Sequence, residues 1–300
     1  MSVTLGINPI TWTNDDMPEL GGDISLEVCL AEARAAGYAG IELGGKFPRA
    51  ASVLRPVLAA HQLALVSGWY SAQLCRRSVT DEIAAIADHL DLLSAMGCKV
   101  MVFAEGHGST DGNPAAPLST RPVLAEAEWP AFCAKLNDVA RHLRRRGVRL
   151  AFHHHMGTVV QTEEEIDRLL ASTDDDVGLL LDTGHLLFAG GDPVAVARRH
   201  AQRIAHVHCK DVRDKVLAQV LREDRSFLRA VLDGVFTVPG DGCIDFTGVL
   251  RELQRGYYAG WLVVEAEQDP AKAHPLTYAR LGFANLARAA EEAGLVVTMV

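Results

Sequence analysis

The chain has 300 residues, 49% of them hydrophobic and 22% charged, which is ample apolar material for a sizeable core. Its net charge of −9 argues against nucleic-acid or anionic-membrane partners, since both reward a basic face. No apolar run approaches the roughly 20 residues that span a bilayer, and the opening MSVTLGINPITW has neither the basic n-region nor the apolar h-region of a secretory signal.

In chain order, the predicted elements alternate between short apolar strands and stretches of helical period. TLGIN (4–8) reads as a strand, SLEVCLAEARAAG (25–37) as a helix, and AGIEL (39–43) and LALVS (63–67) as strands. TDEIAAIADHLDLLSAMG (80–97) reads as a helix and KVMVF (99–103) as a strand. Residues 104–127 form a long loop rich in Gly, Pro and Ser, before the helix EWPAFCAKLNDVARHLRRRG (128–147). RLAFH (149–153), VGLLLD (177–182) and IAHVHC (204–209) are the next strands. Residues 211–245 are a second long excursion, containing a helix and then TVPGDGCIDF. WLVVEA (261–266) is the eighth strand and TYARLGFANLARAAEEAG (277–294) the closing helix. Several helices end on glycine just before the next strand, which is C-cap chemistry.

Eight strands in strict alternation with helices predict an α/β fold, a single (β/α)8 TIM barrel over residues 1–300 with its site at the C-terminal strand ends. An open doubly wound sheet competes, but no GxGxxG turn follows the first strand. Cys29, Cys75, Cys98, Cys133, Cys209 and Cys243 show no CxxC pairing. They read as reduced thiols of a cytoplasmic protein.

Ionisable residues gather where the apolar strands finish. The fifth strand ends in His153-His154-His155 and the sixth in Asp182-Thr-Gly-His185. The seventh ends in His206-Val-His208-Cys-Lys210-Asp211 and the eighth in Glu265-Ala-Glu267. One such residue alone is ordinarily a cap or a surface group. Four neighbouring clusters converging on one volume are costly to bury unpaired, and together they form a mixed N/O site suited to Mn²⁺, Co²⁺, Zn²⁺ or Fe²⁺. Alternation points both histidines of HVH inward, with His208 nearer the top and His206 in a deeper, structural layer. Lys210 either serves the site or pairs with Asp211 or another rim carboxylate. Further round the rim, Trp12, Asn14, Glu42, Lys46 and Trp69 are candidate substrate contacts, with rim packing as the alternative for the tryptophans. VPGDG (238–242) reads as a turn before Asp245, and the runs RRR, EEE and DDD as solvated surface.

DTGH, HVHCKD and VVEAE resemble the sugar isomerase/epimerase superfamily of xylose-isomerase-like barrels across the whole chain. Within it, ITWTNDDMPELGG (10–22), HHHMGT (153–158), DTGHL (182–186), HVHCKDVRD (206–214), FTVPGDGCIDF (236–246) and VVEAEQDPAKA (263–273) resemble the inosose dehydratase family. The resemblance implies one divalent metal ion, Mn²⁺ or Co²⁺ first and Zn²⁺, Fe²⁺ or Mg²⁺ as alternatives, on Asp182, His208 and Glu265. His153 stands where the superfamily generally places a glutamate and becomes the fourth ligand. The implied reaction is loss of water from 2-keto-myo-inositol to give a trihydroxycyclohexane dione, in myo-inositol catabolism. Glu265, His155, His185 and Lys210 are the candidate acid/base groups. The implied partner is a small polyol ketone, with no nucleic acid, no membrane, and room for a homo-oligomer. An inosose isomerase or ketose 3-epimerase on the same barrel is the alternative, and the absent strand-five glutamate counts against two-base exchange. An apurinic-site endonuclease would need extra histidines on strands two and three, where Glu42 and Ser67 stand. A non-catalytic sugar-binding barrel would make the inward ionisable groups vestigial.

Overall fold

Aliphatic strands that must bury both faces, joined by amphipathic helices, close on themselves in the computed structural model, which describes residues 1–298. The strands are β1 (Ser2–Ile7), β2 (Gly40–Leu43), β3 (Ala64–Ala72), β4 (Val100–Glu105), β5 (Arg149–His153), β6 (Val177–Asp182), β7 (Ile204–Cys209), β8 (Asp211–Val212), β9 (Phe236–Thr237), β10 (Trp261–Val264) and β11 (Val296–Val297). Parallel pairing runs β10-β7-β6-β5-β4-β3-β2-β1, and β1 returns to β10 through Thr4↔Trp261 to Ile7↔Val264. That contact makes an eight-stranded parallel barrel. β11 adds to the edge of β1, and β8 with β9 forms a small antiparallel pair above the rim.

The helices start and stop where local chemistry directs. Ser25 and Ser78 cap the helices Leu26–Ala36 and Val79–Met96, which end at left-handed Gly37 and Gly97. Glu165, within the acidic run, closes a capping box with Thr162 on the helix Glu163–Ala171. Inside the barrel, Val100, Val102, Ala151 and Leu180 pack together. Lower down, Trp261 fills the space left by Gly6 and Gly40. A Cβ on Gly40 would stand 2.7 Å from both Trp261 and Val66.

Two elements differ from their sequence reading. β3 continues to Ala72, because SGWYSA pairs with β4 from Trp69↔Val102 to Ala72↔Glu105. The excursion after β7 holds β8, β9 and two helices, Asp214–Arg222 and Phe227–Leu232. Those helices bury Phe227, Val231 and Phe236 with Met17 and Met156 in a second apolar cluster over one side of the rim. The loop after β4 is joined to it, Leu118 N donating to Arg225 O at 3.1 Å and Ser119 N to Asp224 Oδ1 at 2.9 Å. No helix among the described residues is long and apolar enough to cross a membrane.

Candidate active site

β5, β6, β7 and β10 are neighbours around one rim, and their ends carry His153, Asp182, His208 and Glu265. Asp182 and His208 lie directly in register across β6 and β7. All four side chains are buried, and one ligand atom from each lies within 4.8 Å of the others. Asp182 Oδ2 is 3.6 Å from both His153 Nε2 and His208 Nδ1, and His208 Nδ1 also faces Glu265 Oε2. The remaining atoms of these groups are already engaged. His153 Nδ1 pairs with the carbonyl of His154 at 2.6 Å. Asp182 Oδ1 accepts the His185 N–H at 2.8 Å and so caps the short helix Thr183–Phe188.

Asp182 Oδ2, His208 Nδ1 and Glu265 Oε2 are buried without a hydrogen-bond partner. Leaving such atoms unpaired costs roughly 1–3 kcal/mol each, and they point to one place. A divalent cation there satisfies all three. Two carboxylates balance its charge, and the N/O set suits a borderline metal. Burial depresses the pKa of His153, which keeps it in the neutral, ligating form. Burial works against the charge on Asp182, but Lys210 and the neighbouring histidines His185, His153 and His208 together outweigh it and hold the carboxyl well below its usual range.

Beside this set lies a buried group able to hold protons. Lys210 Nζ donates to Glu267 Oε2 at 2.6 Å and stands 2.9 Å from both Glu265 Oε1 and His185 Nε2. Burial opposes its charge, yet Asp182, Glu265 and Glu267 raise its pKa above the ordinary lysine value. The sequence left Asp211 or another rim carboxylate open as its partner, and the structure shows the second. The Asp211 carboxylate accepts the backbone N–H groups of Gly240, Gly242 and Ile244 at 3.0–3.1 Å, pinning the VPGDG turn. Lys210 instead meets Glu267, a residue visible at the strand end but assigned no role there. Its i,i+2 relation to Glu265 was the available signal. The His185 ring lies 3.9 Å, centroid to centroid, from that of His155.

A cavity of about 390 Å³ opens over these groups, reached by His155, His208, Glu265 and Glu267. Trp69 forms part of its wall, edge-on to His153 at 5.2 Å and to His155 at 5.6 Å. Glu42 also reaches it. Of the candidate substrate contacts, Trp12, Asn14 and Lys46 do not line this cavity, and for Trp12 the packing alternative holds. Trp12 is fully buried, its indole N–H on Glu32 at 2.7 Å. The Asn14 side chain is turned onto the N–H groups of Asp16 and Met17, and Lys46 donates to the carbonyls of Gly21, Gly22 and Ile24. Both hold the loop after β1 in shape. Asn8, Ser71, Gln73 and Asp111 line the cavity without having been singled out. Ser71 and Gln73 escaped because β3 runs past its apolar stretch.

Residues 30–297 match the family model described as xylose isomerase-like TIM barrel. The inosose dehydratase of Geobacillus thermodenitrificans is 48% identical over 92% of this chain and 94% of its own length. The chain belongs to the inosose dehydratase family of xylose isomerase-like barrels. A further relative, the rhizopine catabolism protein MocC of Rhizobium meliloti, is 55% identical over 98% of this chain and 90% of its own. Among solved structures, the IOLI protein with a bound zinc atom superposes with a TM-score of 0.67 at 18% identity, covering 97% of this chain and 98% of that one. Like its inosose dehydratase relatives, this chain is an enzyme of the dehydratase class.

Proposed function

We propose that the enzyme removes water from 2-keto-myo-inositol to give a trihydroxycyclohexane dione in myo-inositol catabolism, using one divalent ion, Mn²⁺ or Co²⁺, on His153, Asp182, His208 and Glu265. The observation that carries the metal reading is the convergence of three buried, unpartnered ligand atoms at the end of the barrel. The inosose dehydratase relatives support the substrate. When bound, the ion supplies Lewis-acid polarisation of the substrate ketone and a template for the ring.

The chain's own residues divide the proton work. Glu265 faces the ligand cluster with one oxygen and Lys210 with the other, and the neighbouring His208 and Lys210, set against burial, keep its pKa below the usual value. It is therefore ionised, and removes the proton α to the ketone. His155 reaches the cavity and protonates the β-hydroxyl as it departs as water. Lys210 holds positive charge beside Glu265 and links to His155 through His185. The C–H electron pair becomes the new C=C, the C–O bond breaks, and the enol product tautomerises to the dione. Trp69 offers an aromatic face to the ring. The free cysteines agree with a cytoplasmic setting.

The test is incubation with 2-keto-myo-inositol in deuterated buffer, with chelator and then with Mn²⁺ or Co²⁺ restored, followed by mass. Metal-restored loss of one water supports the proposal. Deuterium uptake at unchanged formula would make the enzyme an isomerase or epimerase instead. The MocC relative is named for rhizopine catabolism, so compounds of that breakdown are the second substrate set to assay.

A further inference from the structure

Glu42 reaches the cavity from β2, yet its carboxylate has nothing left to offer a substrate. Oε1 accepts from Ser67 Oγ at 2.5 Å and pairs with His206 Nε2 at 2.9 Å. Oε2 accepts from Asn8 Nδ2 at 2.7 Å. His208 Nε2 lies between the two oxygens, at 3.3 Å from Oε1 and 3.2 Å from Oε2. An ionised carboxylate has about four lone-pair sites, and Asn8, Ser67, His206 and His208 supply four donor groups. All of these contacts are inside the barrel, where Glu42, Ser67, His206 and His208 are at most 2% exposed.

We propose that Glu42 is a positioning residue for the metal centre, fixing the ring and tautomer of His208 so that Nδ1 presents its lone pair to the ligand cluster. The inference rests on the metal reading above. An acceptor-only carboxylate at Nε2 takes the N–H of that nitrogen, so that an ion in the ligand cluster would take the lone pair of Nδ1. Nδ1 is the very atom that faces Asp182 Oδ2 and Glu265 Oε2 and has no hydrogen-bond partner. Ser67, Asn8 and His206 in turn hold the carboxylate at its depth. Glu42, His206 and His208 could themselves be taken for a ligand trio. Their facing atoms, however, already pair with one another, and none is among the unpartnered ones.

The experiment is calorimetric titration of Mn²⁺ into metal-free protein, with the visible spectrum of the Co²⁺-loaded protein as a second readout. Glu42→Gln is expected to weaken Mn²⁺ binding by about 10–100-fold and to shift the Co²⁺ bands. Ser67→Ala removes one hydrogen bond to Glu42 and touches no ligand, so it is expected to weaken binding in the same direction by a smaller factor. Wild-type affinity and spectrum in Glu42→Gln would overturn the inference, as would a raised KM for substrate with metal affinity unchanged. If Glu42→Gln does not fold, Ser67→Ala decides, and unchanged affinity there is the overturning result. Wild-type protein that binds no divalent ion brings down the metal reading itself, and this inference with it.

Discussion

At the scale of single residues, chemistry here depends on what each buried charge faces. Lys210 is fully buried among Asp182, Glu265 and Glu267, so its ammonium is what makes three buried carboxylates tolerable. Removing one partner from a buried ion group leaves charge uncompensated, at a cost of roughly 3–5 kcal/mol. Lys210→Met is expected to lower the unfolding free energy by that amount in urea, and a change under 1 kcal/mol would show that the network is not held this way. Glu105 ends β4 and accepts the N–H groups of Leu74 and His107. Burial pushes its carboxyl up to about 7. Between the ordinary glutamate value and that point, the folded protein holds a proton the unfolded chain has released. Its contribution to stability therefore falls as pH rises through that window. Glu105→Gln should flatten the decline in unfolding free energy between pH 5 and pH 8. An unaltered slope would remove Glu105 as its source.

At the scale of elements, helices were read closely because their signals are local. Ser78 and Gly97 bracket the helix Val79–Met96, one residue from the sequence reading of 80–97. β5, β6 and β7 match their apolar runs because both faces of those strands are buried. β3 was cut short because its second half carries Gly68 and the cavity-lining Ser71, so hydrophobicity fades while backbone pairing continues. Steric limits inside the barrel are not visible in a strand's own pattern. Gly40 looks like an ordinary strand glycine until Trp261 from the far end of the chain packs over it. Gly40→Ala overpacks that layer and is expected to cost about 1–3 kcal/mol. A thermal midpoint equal to wild type would mean that the indole moves aside freely.

For the whole molecule, closure of β1 onto β10 turns four separate strand ends into one site. That site should couple to folding, because the unfolded chain cannot assemble its ligands. At a free-ion concentration 100 times the dissociation constant, binding stabilises the native state by about 2.7 kcal/mol. Chelation should therefore lower the thermal midpoint by several degrees, with Mn²⁺ restoring it. Indifference of the midpoint to both would count against the proposed ion site.

The sequence by itself determined the barrel and the residue types at each strand end, because strict strand–helix alternation and inward–outward alternation are local, periodic properties. It placed His153, Asp182, His208 and Glu265 on neighbouring strands for the same reason. Only the tertiary structure decided which groups pair. Lys210 turned to Glu267 while Asp211 took the VPGDG amides, Glu42 was saturated by donors from β3, β7 and the turn after β1, and Trp12, Asn14 and Lys46 went to packing and loop carbonyls. Alternation says which side of a strand a group takes. Its partner depends on register and on what arrives from across the barrel, where a shift of one residue changes every contact.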